Sequence, residues 1–307
     1  MAIASGSGRR IAYIAEATYG ATPATPTFKV LRVTGGGPRT TKATDTSKEI
    51  RQDRNVSDEM QLGQDVAGDY DFELTYGTFD DMLEAVMQGA WATNVLKNGV
   101  TPKSFTFEET LEMGATDSFS RFTGIMANSM SLAIAARAVV TGSLSLMGQK
   151  ELLDTAIITD ATYTAANTEP VWTSSASVAS LSVLGGTPKV RSLNLELNNN
   201  LRTRTSVGSL YSEQFGSGSF DVTGTAEIYF ESNALYQSVL DHGGGALSFT
   251  IGTTTLKKYT FLMPKIILGN GERRPGGNDD DVMVSLPFRA VYDATEACSL
   301  KITRAVA

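Results

Sequence analysis

The stretch DVAGDYDFELTYGTFDDMLEAVMQGAW, residues 65–91, constrains the fold more than any other part of the chain. Val66, Gly68, Tyr70, Phe72 and Leu74 alternate with Asp65, Ala67, Asp69, Asp71, Glu73 and Thr75. A period of two sends successive side chains to opposite faces, so the run predicts a strand with one apolar and one acidic face. Tyr76-Gly77 predicts a corner. Thr78 stands where a helix N-cap is expected, with Asp81 at the capping-box position in place of Glu. Phe79, Met82, Leu83 and Val86 share one helical face, and Gly89 predicts the stop.

The same order returns later in the chain. At a constant offset of 156, Asp65 falls on Asp221, Gly68 on Gly224, Asp71 on Glu227, Phe72 on Ile228 and Leu74 on Phe230. The following helix keeps register, with Phe79 on Leu235 and Leu83 on Val239. Further strands are predicted at 28–33, 104–110, 121–134 and 138–148, and again at 177–183, 191–199, 247–252, 258–268 and 281–293. Leu193, Leu195 and Leu197 alternate with Asn194, Glu196 and Asn198. The shared strand, corner, short helix and glycine stop predict an internal duplication. Two polar stretches interrupt the pattern. Residues 38–62 are long and mixed in charge, which predicts a protruding hairpin or functional loop. The first half of 160–188, rich in Ala, Ser and Thr, reads as a linker. Residues 1–27 look extended, and Pro23 and Pro26 suit an arm or edge strand.

Composition narrows the function. Lys+Arg is 26 against Asp+Glu 33, a net charge of −7, which argues against a tight grip on nucleic acid. Cys298 is the sole cysteine, so no intrachain disulfide forms. The N-terminus lacks the apolar core of a signal peptide, and no stretch approaches the roughly 20 apolar residues of a membrane helix. Folding in the cytoplasm is the expectation, with no membrane insertion.

No catalytic constellation emerges. One His (His242) and one Cys do not build a zinc site of the usual kind, and no G-x-S-x-G elbow presents a serine to His242. His242 reads as a polar residue at a helix end. TGGGP lacks a following G-K-[ST], and GSGSFDVTG leads into a strand rather than a helix, so neither cradles phosphate. GGNDDDV (276–282) lacks the alternate-position ligands of a calcium loop and reads as a solvated hairpin tip. Asp80-Asp81 complements a helix dipole. No cofactor and no metal are expected, and the chain reads as a non-enzyme.

The run from Glu49 to Trp91 resembles the tail tube (major tail) proteins of long-tailed bacteriophages. The matching residues are Glu49, Ile50, Asp53, Arg54, Gly63, Val66, Gly68, Phe72, Glu73, Leu74, Tyr76, Gly77, Phe79, Asp80, Leu83, Glu84, Ala85, Gly89 and Trp91. The N-terminal AEATYGATPATP, and KVRSLNLELNNN and GSGSFDVTGTAEIYFESNALYQSVL in the second half, are similar to other segments of that family. The resemblance implies a mainly β chain of two tandem tail-tube-like β-sandwich or barrel domains, 1–170 and 171–307, each with a short flanking helix and a long protruding loop. It implies a structural virion protein, assembled in the host cytoplasm, whose rings stack into a hollow conduit for phage DNA. Two such domains would let a trimer imitate a sixfold ring; the alternative is a hexamer with the second half outside. Tape measure, tail terminator and distal tail or baseplate proteins are the implied partners. A negative lining repels phosphate and lets DNA slide, so Asp69, Asp71, Glu73, Glu196 and Glu227 are expected to line the channel. The alternative for them is a solvated outer sheet face. Arg39, Lys48, Glu49, Arg51, Asp53, Arg54 and Asp58 are expected in an inter-ring contact loop. A decoration or adhesin module of β-sandwich type is the rival function.

Overall fold

The computed structural model describes residues 4–114 and 116–304. It is mainly β, with 52% of residues in strands and three short helices. The first half carries β1 (Arg9–Ala15), β2 (Thr27–Val30), β3 (Gly35–Gly36), β4 (Arg39–Thr46), β5 (Glu59–Glu73), α1 (Asp80–Met87), β6 (Val95–Lys97), β7 (Phe105–Leu111), β8 (Ser118–Ala135), β9 (Thr141–Gly148), β10 (Lys150–Asp154) and β11 (Thr162–Thr164). The second carries α2 (Ser174–Ser177), β12 (Val178–Val183), β13 (Val190–Asn198), β14 (Arg202–Arg204), β15 (Gln214–Gly216), β16 (Asp221–Tyr229), α3 (Asn233–Leu240), β17 (Gly244–Thr254), β18 (Lys257–Leu268), β19 (Glu272–Arg274), β20 (Met283–Ala290) and β21 (Lys301–Arg304).

The hydrogen-bond ladders join these strands, apart from the separate β14–β15 pair, into one wall and two backing layers. The wall runs β4, β5, β9, β8, β13, β16, β20 and then β18 with β19, each antiparallel to the next. The link between halves is β8 against β13, with Leu132 opposite Leu195. One backing layer continues from the first part of β8 through β7, β1 and β2 to β11, with β10 on the other side of β8. The other continues from the first part of β18 through β17 to β12, with β21 and β6 on its opposite side. The pairing order of β13, β16, β20, β18 and β17 thus repeats that of β4, β5, β9, β8 and β7.

β8 belongs to both the wall and a backing layer because Gly124 turns it. Gly124 has φ +65, a conformation that costs a residue with a Cβ, and a Cβ there would stand 3.0 Å from Gln149 Cβ and from the Tyr19 ring. Its N–H donates to Glu16 Oε1 at 2.9 Å. Up to the turn β8 pairs with β7 and β10, the β7 ladder ending just past it at Ile125; from Met126 on it pairs with β9, and from Ser129 on with β13 as well.

The predicted alternation is present, and its apolar side is the core. Tyr70, Leu144, Met130, Leu197, Val222 and Ala290 stand directly opposite one another across six strands, all buried. In the next row Phe72, Gly142, Leu132, Leu195, Gly224 and Phe288 do the same. Both glycines lie beneath a ring: a Cβ at Gly142 would come 2.4 Å from Phe72 Cζ, and one at Gly224 2.5 Å from Phe288 Cζ. Each aromatic ring therefore packs on bare backbone of the neighbouring strand. Helix α1 covers part of this face, burying Met82, Leu83, Val86 and Met87. At roughly 1.5–3 kcal/mol per fully buried large side chain, such rows are the main source of stability.

The start of α1 differs from its predicted form. Phe79, not Thr78, occupies the cap position, no side chain caps the helix, and Asp81 closes no capping box. Phe79 is drawn into the core against Phe72, with ring centroids 4.1 Å apart, and Thr78 instead shares a hydroxyl hydrogen bond with Thr75. At the far end Gln88 takes the left-handed conformation (φ 47), and Gly89 follows because a Cβ there would meet Lys97 O at 2.3 Å. Two segments are more integrated than predicted. Thr162–Thr164, inside the expected linker, forms β11 parallel to β2, with Tyr163 stacked on Phe28. β1 is flanked on both sides, by β2 and β7, rather than lying as an arm or edge.

Candidate functional site

The opposite face of the wall is largely polar. Asp71, Ser143, Ser131, Glu196, Thr223 and Arg289 form one directly opposed row across β5, β9, β8, β13, β16 and β20. Glu73, Thr141, Ala133, Asn194, Thr225 and Pro287 form the next. On the other side lie Asp69, Ser145, Ser129, Asn198 and Asp221. Residues opposite each other on paired strands share a face, so these rows compose a single surface of short hydroxyl and amide side chains studded with carboxylates. The surface is concave: a groove of about 880 Å³ runs over β8, β13, β16 and β20, lined among others by Ser131, Asn194, Glu196, Thr223, Arg289 and His242.

All five carboxylates singled out in the sequence lie on this face. Asp69, Asp71 and Glu196 are exposed, and Glu73 and Glu227 half-buried. Glu227 accepts from Ser192 at 3.3 Å and faces Arg274 at 3.7 Å, so part of its charge is spent within the wall. Arg289 is paired with Asp221 at 3.1 Å, which leaves the surface acidic on balance. The sequence reading missed the Ser, Thr and Asn positions between the carboxylates. Their signal was present as alternation in 129–133, 141–145 and 223–225, but only the pairing register shows that they align.

The seven residues assigned to a contact loop separate into two places. β4 and β5 form a hairpin that extends past the end of β9, from Arg39 opposite Ala67 out to Thr46 opposite Glu59. Residues 47–58 close it, and Ser47 N–H donates to Asp58 O at 2.9 Å. Lys48, Glu49, Arg51, Asp53, Arg54 and Asp58 lie in this tip, whereas Arg39 sits at the base, where β4 joins the wall. Arg51 grips Asp53 through two bonds of 3.0 and 2.8 Å, which holds the Asp53 carboxyl down at about 2. Ile50, Val56, Met60 and Leu62 are exposed among these charges. The polar loop after β13 leans on the hairpin base: Ser212 bonds Asp65 through N–H (2.9 Å) and Oγ (2.7 Å), and Gln64 N–H donates to Leu210 O at 2.8 Å.

A third cluster ties the two halves together behind the wall. The Tyr259 hydroxyl donates to Asp80 and accepts from Gly77 N–H at 2.9 Å. Arg304 also pairs with Asp80 and lies 4.2 Å from the centroid of the Trp91 ring. Tyr76, Trp91 and Trp172 surround the Tyr259 ring. Burial, then the Asp80 charge, hold the Tyr259 hydroxyl protonated well above its ordinary range. Asp80 and Asp81 therefore do more than complement the helix dipole: Asp81 accepts from Lys29 at 2.6 Å and Tyr13 at 3.1 Å.

Reactive groups do not gather at any of these places. Among the described residues no group of three or more His, Cys, Asp or Glu could hold a metal ion, and no helix is long and apolar enough to cross a membrane. The 276–282 stretch is the exposed tip between β19 and β20.

A family model described as phage tail tube protein matches residues 6–290. The chain belongs to the phage tail tube protein family. A search of curated proteins returns no match. Membership makes this a structural, non-enzymatic protein of the virion tail, one that self-assembles into the tube. For a tail tube subunit, the surfaces that matter are then those that meet neighbouring copies and those that face the bore.

Proposed function

We propose that the polar face of the wall is the lumen of the tube and that its carboxylates keep DNA from adhering in transit. The observation that carries this reading is the row from Asp71 to Arg289, an unbroken polar surface on a concave sheet that spans both halves. A DNA conduit needs a surface that is wetted, short in side chain and acidic on balance. Ser, Thr and Asn with Asp69, Asp71, Glu73, Glu196 and Glu227 meet that need. Within a screening length of about 8–10 Å the carboxylates repel phosphate.

The repeated pairing order supports two tandem tube-like domains per chain, so that a trimer forms a pseudo-sixfold ring; a hexamer with the second half outside is the alternative. Each half contributes four strands to the wall, β4, β5, β9 and β8, then β13, β16, β20 and β18–β19. Three chains would close about 24 strands. At about 4.8 Å spacing and about 40° tilt, their backbone circle is about 48 Å across, which leaves room for duplex DNA. The hairpin tip at 47–58, with exposed Ile50 and Val56 among paired charges, suits contact with the next ring. Tape measure, terminator and distal tail proteins would meet the tube at its lumen and two ends.

The test is a phage carrying Asp69→Lys, Asp71→Lys and Glu73→Lys together. Tails of normal length are expected in negative stain, with DNA delivery per tailed particle reduced about tenfold or more as added cations hold phosphate. Normal delivery from such tails would refute the lumen assignment.

A further inference from the structure

The seam between β8 and β13 is a template for a joint between copies of this chain. Corresponding positions follow from the ladders. Asp71, Ser143 and Ser131 are opposed in sequence across β5, β9 and β8; Glu227, Ser285 and Glu272 are opposed across β16, β20 and β19. Ser131 therefore corresponds to Glu272. Ala67 faces Arg39 as Thr223 faces Glu196, so Glu196 corresponds to Arg39. Within the chain, Ser131 and Glu196 are the directly opposed pair at the seam.

The same correspondence leaves two strand edges without a partner. Among the described residues the only ladder of β4 is with β5, and the only ladder of β19 is with β20. These are the edges that match the two sides of the β8–β13 seam. Both carry features that discourage indiscriminate pairing: Pro38, Arg39 and Lys42 on one, and Glu272, Arg273, Arg274 and Pro275 on the other. Arg39 makes no ion pair among the described residues, while Glu272 touches only its neighbour Arg274. Both positions lie on the polar face, since Arg39 opposes Ala67 and Glu272 opposes Ser285.

We infer that β19 of one copy pairs antiparallel with β4 of the next, with Glu272 directly opposite Arg39. Gly271 then faces Thr40 and Asn270 faces Thr41, as Met130 faces Leu197 and Ser129 faces Asn198 within the chain. The joint rests on the tube reading above but adds its edges, register and charge pair. It also selects the neighbour: this register sets Glu272 against the Arg39 cation on the polar face, whereas the competing contact of β4 with another β4 sets Arg39 near like charge.

Charge reversal tests it. Arg39→Glu and Glu272→Arg, each alone, are expected to raise the protein concentration needed for rings or tubes about five- to tenfold, through loss of an opposed pair and gain of a like-charged one. The double variant Arg39→Glu with Glu272→Arg is expected to return within about twofold of the unaltered chain. Light scattering after size separation, with negative stain, reads the outcome; circular dichroism confirms folding. Separately, Arg39→Cys with Glu272→Cys should give a ladder of subunits linked by disulfide on a non-reducing gel, and neither single variant should. Single reversals that assemble like the unaltered chain, a double variant no better than either single, or a cysteine pair that stays unlinked in formed tubes would overturn the joint while leaving the tube reading in place. An unaltered chain that never assembles at any concentration would overturn both.

Discussion

Removing one oxygen at Tyr259 should loosen the two halves from each other. Tyr259→Phe keeps the ring among Tyr76, Trp91 and Trp172 but deletes the bond to Asp80 and the acceptor for Gly77 N–H. A hydrogen bond to a charged partner contributes about 1.5–3 kcal/mol, and an orphaned, partly shielded N–H costs about 1 kcal/mol more. Asp80 keeps Arg304, which offsets part of the loss. The expected destabilisation is about 3 kcal/mol, a large share of the roughly 5–15 kcal/mol typical of folded chains. Equilibrium urea unfolding, followed by tryptophan fluorescence below the assembly concentration, measures it, since Trp91 and Trp172 both touch the cluster. Asp80→Asn with Tyr259→Phe should cost at least about 1 kcal/mol less than the sum of the single changes, because the two groups share one bond. A loss under about 1 kcal/mol, or strict additivity, would refute the reasoning.

Two further expectations concern the hairpin. The Asp53 carboxyl, held down by Arg51 and the Asn55 N–H, should titrate near pH 2 by carbon-13 NMR. Because its pKa is depressed, its pairing is complete above the ordinary carboxylate value of about 3.9 and is lost only as pH falls through about 2; Arg51→Gln should return the midpoint toward 3.9. Replacing residues 48–57 with a short glycine-serine linker should leave soluble subunits or single rings, because the bonds and ion pairs of the tip lie within the hairpin itself. Full-length tubes from that variant, seen in negative stain, would remove the hairpin from ring stacking.

Much of the wall was legible because a period-two pattern is local. The strand at Asp65–Thr75, its relative at Asp221–Phe230 and the oily faces of both follow from alternation alone. The protruding hairpin was legible from its polarity and length. What escaped were contacts decided by residues distant in sequence. No local signal says that Leu195 lies opposite Leu132, or that two serines, a glutamate and a threonine fill the row between Asp71 and Arg289. Thr78 has the chemistry of a cap, yet Phe79 takes the position because burying its ring outweighs one capping bond. Asp80 looked like a helix-dipole residue, and its bonds to Tyr259 and Arg304, 179 and 224 positions away, were beyond any reading of neighbours. Arg39 read as part of a charged loop because its neighbours in sequence are; its strand register sets it apart.

The turn at Gly124 has a mechanical consequence. A single covalent backbone passes from a backing layer into the wall, so force applied to the wall need not cross a side-chain interface to reach the layer behind it. A load on the wall would be carried partly as tension along that chain, as a stud carries load between the two skins of a hull. A sheet braced in this way bends with its support and resists peeling away from it.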